Sequence, residues 1–272
     1  TWLLDPSSVL TRGVLNVTPD SFSDGGKYDR LDLAVEHFYS MLENGADIID
    51  IGGESTKPGS DPVSIEEELN RVIPIIHEVK KTSNDILISV DTYKSVVAKE
   101  AIKAGADIIN DVSGLTFDKD MASILAKYDI PVIIMHIQGK PKTMQQNISY
   151  NDLIDDIKKY FQNRCDYAIK SGIKKNNIIL DPGIGFGKTF NHNFKLLKNL
   201  KIFKDMAYPL LIGPSRKAFI GDVLKLPPEE RVEGTIATVV AGILNGANIV
   251  RVHDVKENKR AIIVAENILA AK

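Results

Sequence analysis

The sequence predicts a single-domain α/β protein, a (β/α)8 (TIM) barrel over residues 1–272, and three observations carry that expectation. Short apolar runs alternate with longer amphipathic stretches to the end of the chain, with no long linker or low-complexity segment between them. Eight such runs occur, dense in Ile and Val with little alternation, as in parallel strands buried on both faces. The phrase Asn44-Gly-Ala-Asp-Ile-Ile returns as Ala104-Gly-Ala-Asp-Ile-Ile and Asn245-Gly-Ala-Asn-Ile-Val, each time joining a helix end to a strand start.

Along the chain, strands are expected at residues 13–17, 47–52, 86–91, 107–111, 131–136, 177–181, 209–213 and 248–253. Helices are expected at 32–43, 65–80, 95–103, 152–171, 233–245 and 256–271, where apolar residues recur at helical spacing. Gly45, Gly105 and Gly246 can take the left-handed conformation that ends a helix, and the small alanine after each lets the chain turn into the next strand. Eight strands alternating with eight helical segments suit a closed barrel better than an open sheet in a chain of this length.

With 43% hydrophobic residues among 272, the chain can bury one barrel-sized core. A formal charge of −2 provides no field to attract nucleic acid or an anionic membrane, so any bound anion must be held by a local cluster. No apolar run is long enough to span a bilayer, and the N-terminus lacks a charged-then-apolar signal pattern. Cys165 is the single cysteine and has no internal disulfide partner, which points to a reducing cytoplasm. Thr1 fits removal of an initiator methionine before a small residue, with excision from a longer polypeptide as the other reading.

The active site of such a barrel lies at the carboxyl ends of its strands. Asp47, Asp107 and Asn248 enter their strands and belong to the opposite, structural rim. Asn16, Glu54, Asp91, Asn110, Asp111, His136, Asp181, Arg251 and His253 leave theirs, and Ser215, Arg216 and Lys217 follow the seventh strand. Buried charges are costly unless paired, so this convergence on one mouth reads as a ligand site.

Two subsites separate by chemistry. Asp91, Asn110 and Asp181, with little positive charge beside them in the sequence, form an acceptor set for a donor-rich edge such as an aminopyrimidinone ring. Arg251 and Lys217 can cover such a ring. Asn16, Lys57, Arg251 and His253 come from strands one, two and eight, neighbours once the barrel closes, and suit a diphosphate, with Asn16 also able to ligate Mg²⁺. His37, His77 and His192 have no expected catalytic role.

The run Asp181-Pro-Gly-Ile-Gly-Phe-Gly-Lys-Thr189 fails as a P-loop, because Pro182 stands where the first glycine is required, and its G-x-G-x-G spacing fails the dinucleotide fingerprint. It reads instead as a tight loop that brings backbone to a flat ligand, with Phe186 as an apolar wall. The loops at 18–28 and 54–64 mix Gly, Pro, Ser and Asp, carry little that can pack, and read as mobile loops that close on substrate. They carry Asp20, Phe22, Thr56 and Pro58, which can order around a second substrate.

Gly13-Val-Leu-Asn-Val-Thr-Pro-Asp-Ser-Phe-Ser-Asp-Gly-Gly26 closely resembles the first signature of the dihydropteroate synthase family, and Gly52-Gly-Glu-Ser-Thr-Lys-Pro-Gly59 the second. Ser89-Val-Asp-Thr92, Ile109-Asn-Asp-Val-Ser-Gly114, Asp181-Pro-Gly-Ile-Gly-Phe-Gly187, Ser215-Arg-Lys217 and Arg251-Val-His253 resemble the remaining blocks in family order. The resemblance implies that Asp91, Asn110, Asp181 and Lys217 hold a pterin, with Met135 and Arg251 against its faces. It implies a diphosphate at Asn16, Lys57, Arg251 and His253, with Mg²⁺ at Asn16, and p-aminobenzoate against Phe22, Thr56, Pro58, Phe186 and Lys217. Asp91, Asp181, Lys217, Arg251 and His253 would then be catalytic, in a homodimer that joins the two substrates after pyrophosphate leaves.

One position departs from the family pattern: Lys57 stands where the second signature usually has Arg, which keeps the charge but loses the planar fork. The alternative reading is a pterin-binding domain that presents methyltetrahydrofolate to a corrinoid protein. Such a domain has no use for the diphosphate set Asn16, Arg251 and His253. A Schiff-base lyase using Lys217 and a non-catalytic scaffold are more distant readings.

Overall fold

The computed structural model describes residues 8–18, 27–82 and 85–271, so Asp20 and Phe22 lie outside the described residues. Eight parallel strands occur among them: β1 (Leu10–Asn16), β2 (Ile48–Gly52), β3 (Leu87–Asp91), β4 (Ile108–Asp111), β5 (Val132–Met135), β6 (Ile178–Asp181), β7 (Leu211–Ile212) and β8 (Ile249–Val252). They lie in the order β6-β5-β4-β3-β2-β1-β8-β7. A single parallel bridge between Leu180 and Leu210 nearly closes the ring from β6 to β7. The helices between them are α1 (Lys27–Glu43), α2 (Ile65–Thr82), α3 (Ser95–Ala104), α4 (Met121–Tyr128), α5 (Leu153–Lys170) and α6 (Phe190–Lys198). The series continues with α7 (Leu200–Lys204), α8 (Ala218–Leu224), α9 (Val232–Leu244) and α10 (Val255–Ala270). No helix among the described residues is long and apolar enough to cross a membrane.

The barrel expectation therefore holds, with boundaries shifted by a few residues. Gly45, Gly105 and Gly246 take positive φ values of 94°, 118° and 105°, so the repeated helix-to-strand phrase is the turn it was expected to be. β1 begins three residues earlier than expected, which places Arg12 inside the strand.

Period-two alternation sorts the strand residues. Outward residues such as Ile51, Val90, Ile134 and Val250 join the core beneath the helices. A second apolar cluster takes one residue from each strand: Leu10, Ile48, Leu87, Ile108, Ile133, Ile179, Leu211 and Ile249. This is the floor of the barrel. Two residues further along each strand, the same inward face carries Arg12, Asp50, Ser89, Asn110, Met135, Asp181, Gly213 and Arg251. Above an apolar floor, the interior is thus polar.

The rim below the floor is held by the residues that enter the strands. Asp47 accepts from the Thr11 amide at 2.7 Å and from Lys259 at 2.8 Å. Asp107 accepts from the Ile88 amide at 2.9 Å and from Lys80 at 3.1 Å. Asn248 accepts from the Leu210 amide at 3.1 Å.

Candidate active site

Four lateral neighbours begin the site. Strand register places Asn16 beside Gly52, Gly52 beside Asp91, and Asp91 beside Asn110. A Cβ on Gly52 would meet Asn16 Oδ1 at 3.5 Å and Asp91 Cβ at 3.6 Å, so the missing side chain leaves a gap bordered by both. Asn16 of the expected diphosphate set therefore lies across one gap from Asp91 of the expected ring set.

Asp91 and Asn110 are buried, and neither Asp91 Oδ1 nor Asn110 Oδ1 has a hydrogen-bond partner among the described residues. Leaving a buried acceptor unmatched costs about 1–3 kcal/mol, which a donor-rich ligand would recover. Asp181 is buried too, and its Oδ1 accepts from the Gly183 amide at 2.7 Å. Burial raises the Asp181 carboxyl, against the pull of that amide and of Lys217.

The expectation of little positive charge beside these acceptors is overturned. Arg251 Nη2 donates to Asp91 Oδ2 at 3.2 Å, while its Nε donates to Asp50 Oδ2 at 2.7 Å. Asp50 also pairs with Arg12, whose Nη2 donates to Ser89 Oγ at 2.8 Å. The result is a continuous ladder, Ser89–Arg12–Asp50–Arg251–Asp91, rising from mid-barrel to the mouth. Neighbouring strands bring the cations in, because Arg12 of β1 lies directly beside Arg251 of β8.

Arg12 and Asp50 are fully buried. Burial works against the Asp50 anion, yet Arg12 and Arg251 hold its carboxyl below the usual range. Burial and then the charge on Asp50 push Asp91 the other way, to about 7, with Arg251 and Arg12 opposing.

Sequence reasoning missed Arg12 and Asp50. The signal was present, since each lies two residues beyond an apolar floor residue, Leu10 and Ile48 respectively.

The remaining cations and the imidazole come from the seventh and eighth strand ends. Lys217 Nζ lies 4.2 Å from the Phe186 ring centroid. Burial, followed by the Arg251 charge, lowers Lys217 to about 8, although Asp181 and Asp91 pull it back up. Arg216 points elsewhere. It adopts φ 57° and its Nε donates to Asp254 at 3.0 Å, so the turn delivers Lys217 alone to the mouth.

His253 donates its backbone amide to Ser215 Oγ at 3.1 Å, and its Nδ1 lies 3.0 Å from the same oxygen. An oxygen that accepts from the amide can donate its own proton to Nδ1, leaving the ring proton on Nε2. Burial and the neighbouring Arg251 charge lower His253 to about 3, so it is a neutral donor at physiological pH.

Met135 and Phe186 share a buried cluster with Val112, Ile137 and Met144, and Met135 lies beside Asp181 in register. The loop after β2 behaves differently from expectation. Its two ends are joined, because Glu54 Oε2 accepts from the Val63 amide at 2.9 Å. Tyr93 and Lys94 hold Glu54 from below, each at 2.5 Å. The far side of this loop leans on the segment after β5, where Gly59 donates to Pro141 O at 3.3 Å and Lys142 pairs with Asp61 at 2.5 Å.

Lys57 and Pro58 are exposed on that loop and Thr56 is half-buried. No described contact brings the Lys57 side chain to Asn16, Arg251 or His253. The loop's own hydrogen bonds tie it outward, toward the β5 segment. Three other strand-end groups are also engaged away from the mouth. Asp111 accepts from the Ser113 and Leu115 amides at 2.8 and 3.0 Å, Glu54 anchors its loop, and His136 pairs with Lys188 at 3.0 Å. His192 caps α6 together with Thr189.

Residues 12–253 match the family described as pterin binding enzyme. The chain is 51% identical over 258 residues to the dihydropteroate synthase of Clostridium beijerinckii, covering 94% of this chain and 93% of that one. It superposes with a TM-score of 0.93 and 46% identity on the Yersinia pestis dihydropteroate synthase solved as a sulfonamide drug complex, covering 98% of this chain and 97% of that one. The dihydropteroate synthase of Clostridium difficile, crystallised in the presence of pteroic acid, gives 0.92 and 49%, covering 97% and 98%. The match runs from β1 to the end of β8 and so takes in every strand end at the mouth: the chain belongs to the pterin-binding enzyme family, among the dihydropteroate synthases.

Proposed function

We propose that this enzyme condenses 6-hydroxymethyl-7,8-dihydropterin diphosphate with p-aminobenzoate, giving 7,8-dihydropteroate and pyrophosphate. The observation that carries the reading is the pair of buried, unmatched acceptors Asp91 Oδ1 and Asn110 Oδ1 beside Asp181 at one mouth. An aminopyrimidinone edge offers the N–H donors they lack.

The chemistry follows from charge placement. Asp91 and Asp181 favour positive charge on the ring as the C–O bond to the diphosphate breaks, and Arg251, Lys217 and the neutral His253 favour the departing anion. The pterin methylene is left as a resonance-stabilised cation, which the arylamine attacks before losing a proton. No covalent nucleophile is needed. Phe186 and Lys217, in contact with each other, form one wall for p-aminobenzoate, with Thr56 and Pro58 contributing when their loop turns inward. Sulfonamides, which mimic that arylamine, would compete at the same wall.

The residues suit Mg²⁺ in a particular way. Among the described residues no group of three or more His, Cys, Asp or Glu is arranged to hold a metal. Asn16 borders the Gly52 gap and makes no described side-chain hydrogen bond. Mg²⁺ commonly takes one or two protein oxygens and completes its shell with substrate phosphates and water, which fits a single ligand at Asn16. Bound there with the diphosphate, it would neutralise charge on the leaving group.

The reading includes a homodimer in the cytoplasm. Val223, Leu244, Ile263, Val264, Ile268 and Leu269 of α8–α10 are exposed apolar side chains, a surface that a second copy would cover.

A pyrophosphate-release assay with the pterin diphosphate, run with and without p-aminobenzoate, tests the function. Asp181→Ala should weaken ring binding and Asn16→Ala should weaken diphosphate binding. Absence of dihydropteroate from the wild-type reaction would refute it. Sedimentation at micromolar concentration tests the dimer.

A further inference from the structure

Lys188 is a buried cation that the condensation does not use directly. Its side chain is 2% exposed. Nζ donates to Phe186 O at 2.9 Å, lies 3.0 Å from His136 Nδ1, and reaches His136 O at 3.3 Å. An ammonium has three donors, and here three acceptors surround it. Burial lowers Lys188 to about 7, with Asp181 pulling it up and Lys217 pushing it down. Burial and then the Lys188 charge hold His136 neutral, consistent with Nδ1 as an acceptor.

The two residues that Lys188 joins lie on different elements. His136 follows Met135 at the end of β5, and Phe186 lies in the loop after β6. That loop is pressed onto β5, because a Cβ on Gly183 would lie 1.9 Å from His136 O. Its outer side is tied independently: Gly185 donates to Asn193 Oδ1 at 2.7 Å, while Gln145 donates to Gly185 O and Tyr150 to Gly187 O, each at 2.7 Å. Lys188 ties the inner side, together with the Gly183 amide that donates to Asp181 Oδ1 at 2.7 Å. Phe186, held through its carbonyl, in turn carries Lys217 Nζ against its ring.

We infer that Lys188 is a positioning residue, whose ammonium staples the β6 loop to the end of β5 and thereby fixes the Phe186 wall for the arylamine. This rests on the function proposed above. The staple acts on the second substrate's wall and not on Asp91 or Asn110, which belong to other strands, although its charge also reaches Asp181 at the end of β6.

Steady-state kinetics of Lys188→Met and Lys188→Gln, alone and combined with Phe186→Ala, test the inference. The expected result is a KM for p-aminobenzoate raised about tenfold or more, with the KM for the pterin diphosphate, whose ring reaches Asp181 beside the staple, raised several-fold less. In the Phe186→Ala background, either change should raise the arylamine KM further by less than about twofold, because the staple works through that ring. Equal rises in both KM values, additive effects with Phe186→Ala, or a folded variant with unaltered kinetics would overturn it. So would failure of both single variants to fold, which would make Lys188 a residue of the fold alone. Wild-type enzyme that forms no dihydropteroate would instead defeat the functional reading beneath it.

Discussion

Lowering the pH should weaken pterin binding through Asp91. Burial and the charge on Asp50 raise this carboxyl to about 7, so near neutrality it is shared between ionised and protonated forms. Its Oδ1 is a buried acceptor without a partner among the described residues, and a ring N–H donates best to the ionised form. Binding and protonation therefore compete. Above pH 7 the affinity should be flat, and below it Kd should rise about tenfold per pH unit, about 1.4 kcal/mol each.

Calorimetry with 6-hydroxymethyl-7,8-dihydropterin, which lacks the diphosphate, isolates the ring subsite. At about pH 6.5, titration in two buffers of different ionisation enthalpy should show roughly three quarters of a proton released on binding. Asp91→Asn should bind about 10–100-fold more weakly at pH 8, from loss of a charge-assisted bond, and should lose the pH dependence. Stability carries the opposite sign. A carboxyl raised above its unfolded value favours the folded state at low pH and loses that advantage as pH rises from about 4 to 7. A wild-type Kd that is constant from pH 5.5 to 8, or a slope that survives in Asp91→Asn, would refute the reasoning.

Other perturbations separate binding from folding. Gly52→Ala introduces a methyl at ordinary contact distances of 3.5 and 3.6 Å, so thermal stability should change by less than about 1 kcal/mol while KM for the pterin diphosphate rises. Asp50→Ala strands one buried cation, Arg12, and one part-buried cation, Arg251, and should cost about 3–5 kcal/mol in urea denaturation, part of it recovered by adding Arg12→Met. Ser215→Ala removes the partner of both the His253 amide and Nδ1; pyrophosphate affinity should fall about 5- to 100-fold, checked by product inhibition. Lys57→Arg restores the planar fork on the second loop and should tighten pyrophosphate, whereas unchanged inhibition and turnover would show that the exchange is neutral.

The barrel was legible because its signals are local. Strand burial on both faces and the Gly-Ala turns depend on neighbours in sequence, and both appear as expected. The strand-end rule likewise placed Asn16, Asp91, Asn110, Asp181, Arg251 and His253 at the carboxyl ends of strands, because distance from an apolar run is a sequence property. What it could not supply was pairing across strands. The Arg251–Asp91 contact links residues 160 apart, and the Arg251–Asp50 contact links residues 201 apart. Arg12 was lost by starting β1 at residue 13, and Asp50 by reading its strand as uniformly apolar. The same rule over-counted, since Asp111 and Glu54 leave their strands but serve turns and loops. Lys57 shows the limit for loops, whose direction depends on the segment they lean against.

The ladder beneath the site is hard to explain by stability alone. Buried ion pairs contribute little net stability, and apolar replacements of similar volume often do as well or better. This one also leaves Arg12 Nε and Nη1 without hydrogen-bond partners among the described residues. Its consequence is positional. Arg251 is held at Nε by Asp50 and at Nη2 by Asp91, so a guanidinium that would otherwise sample several rotamers is fixed against Asp91, which itself borders the Gly52 gap. Arg12 makes this possible by sharing Asp50, since without a second cation the shared carboxylate would lose half of its compensation. A cation fixed before substrate arrives does not have to reorganise as the diphosphate departs, and preorganisation of that kind is where electrostatic catalysis gains most. The cost in folding free energy falls on the mid-barrel layer, and the benefit appears one layer higher, where the substrate would separate into cation and anion.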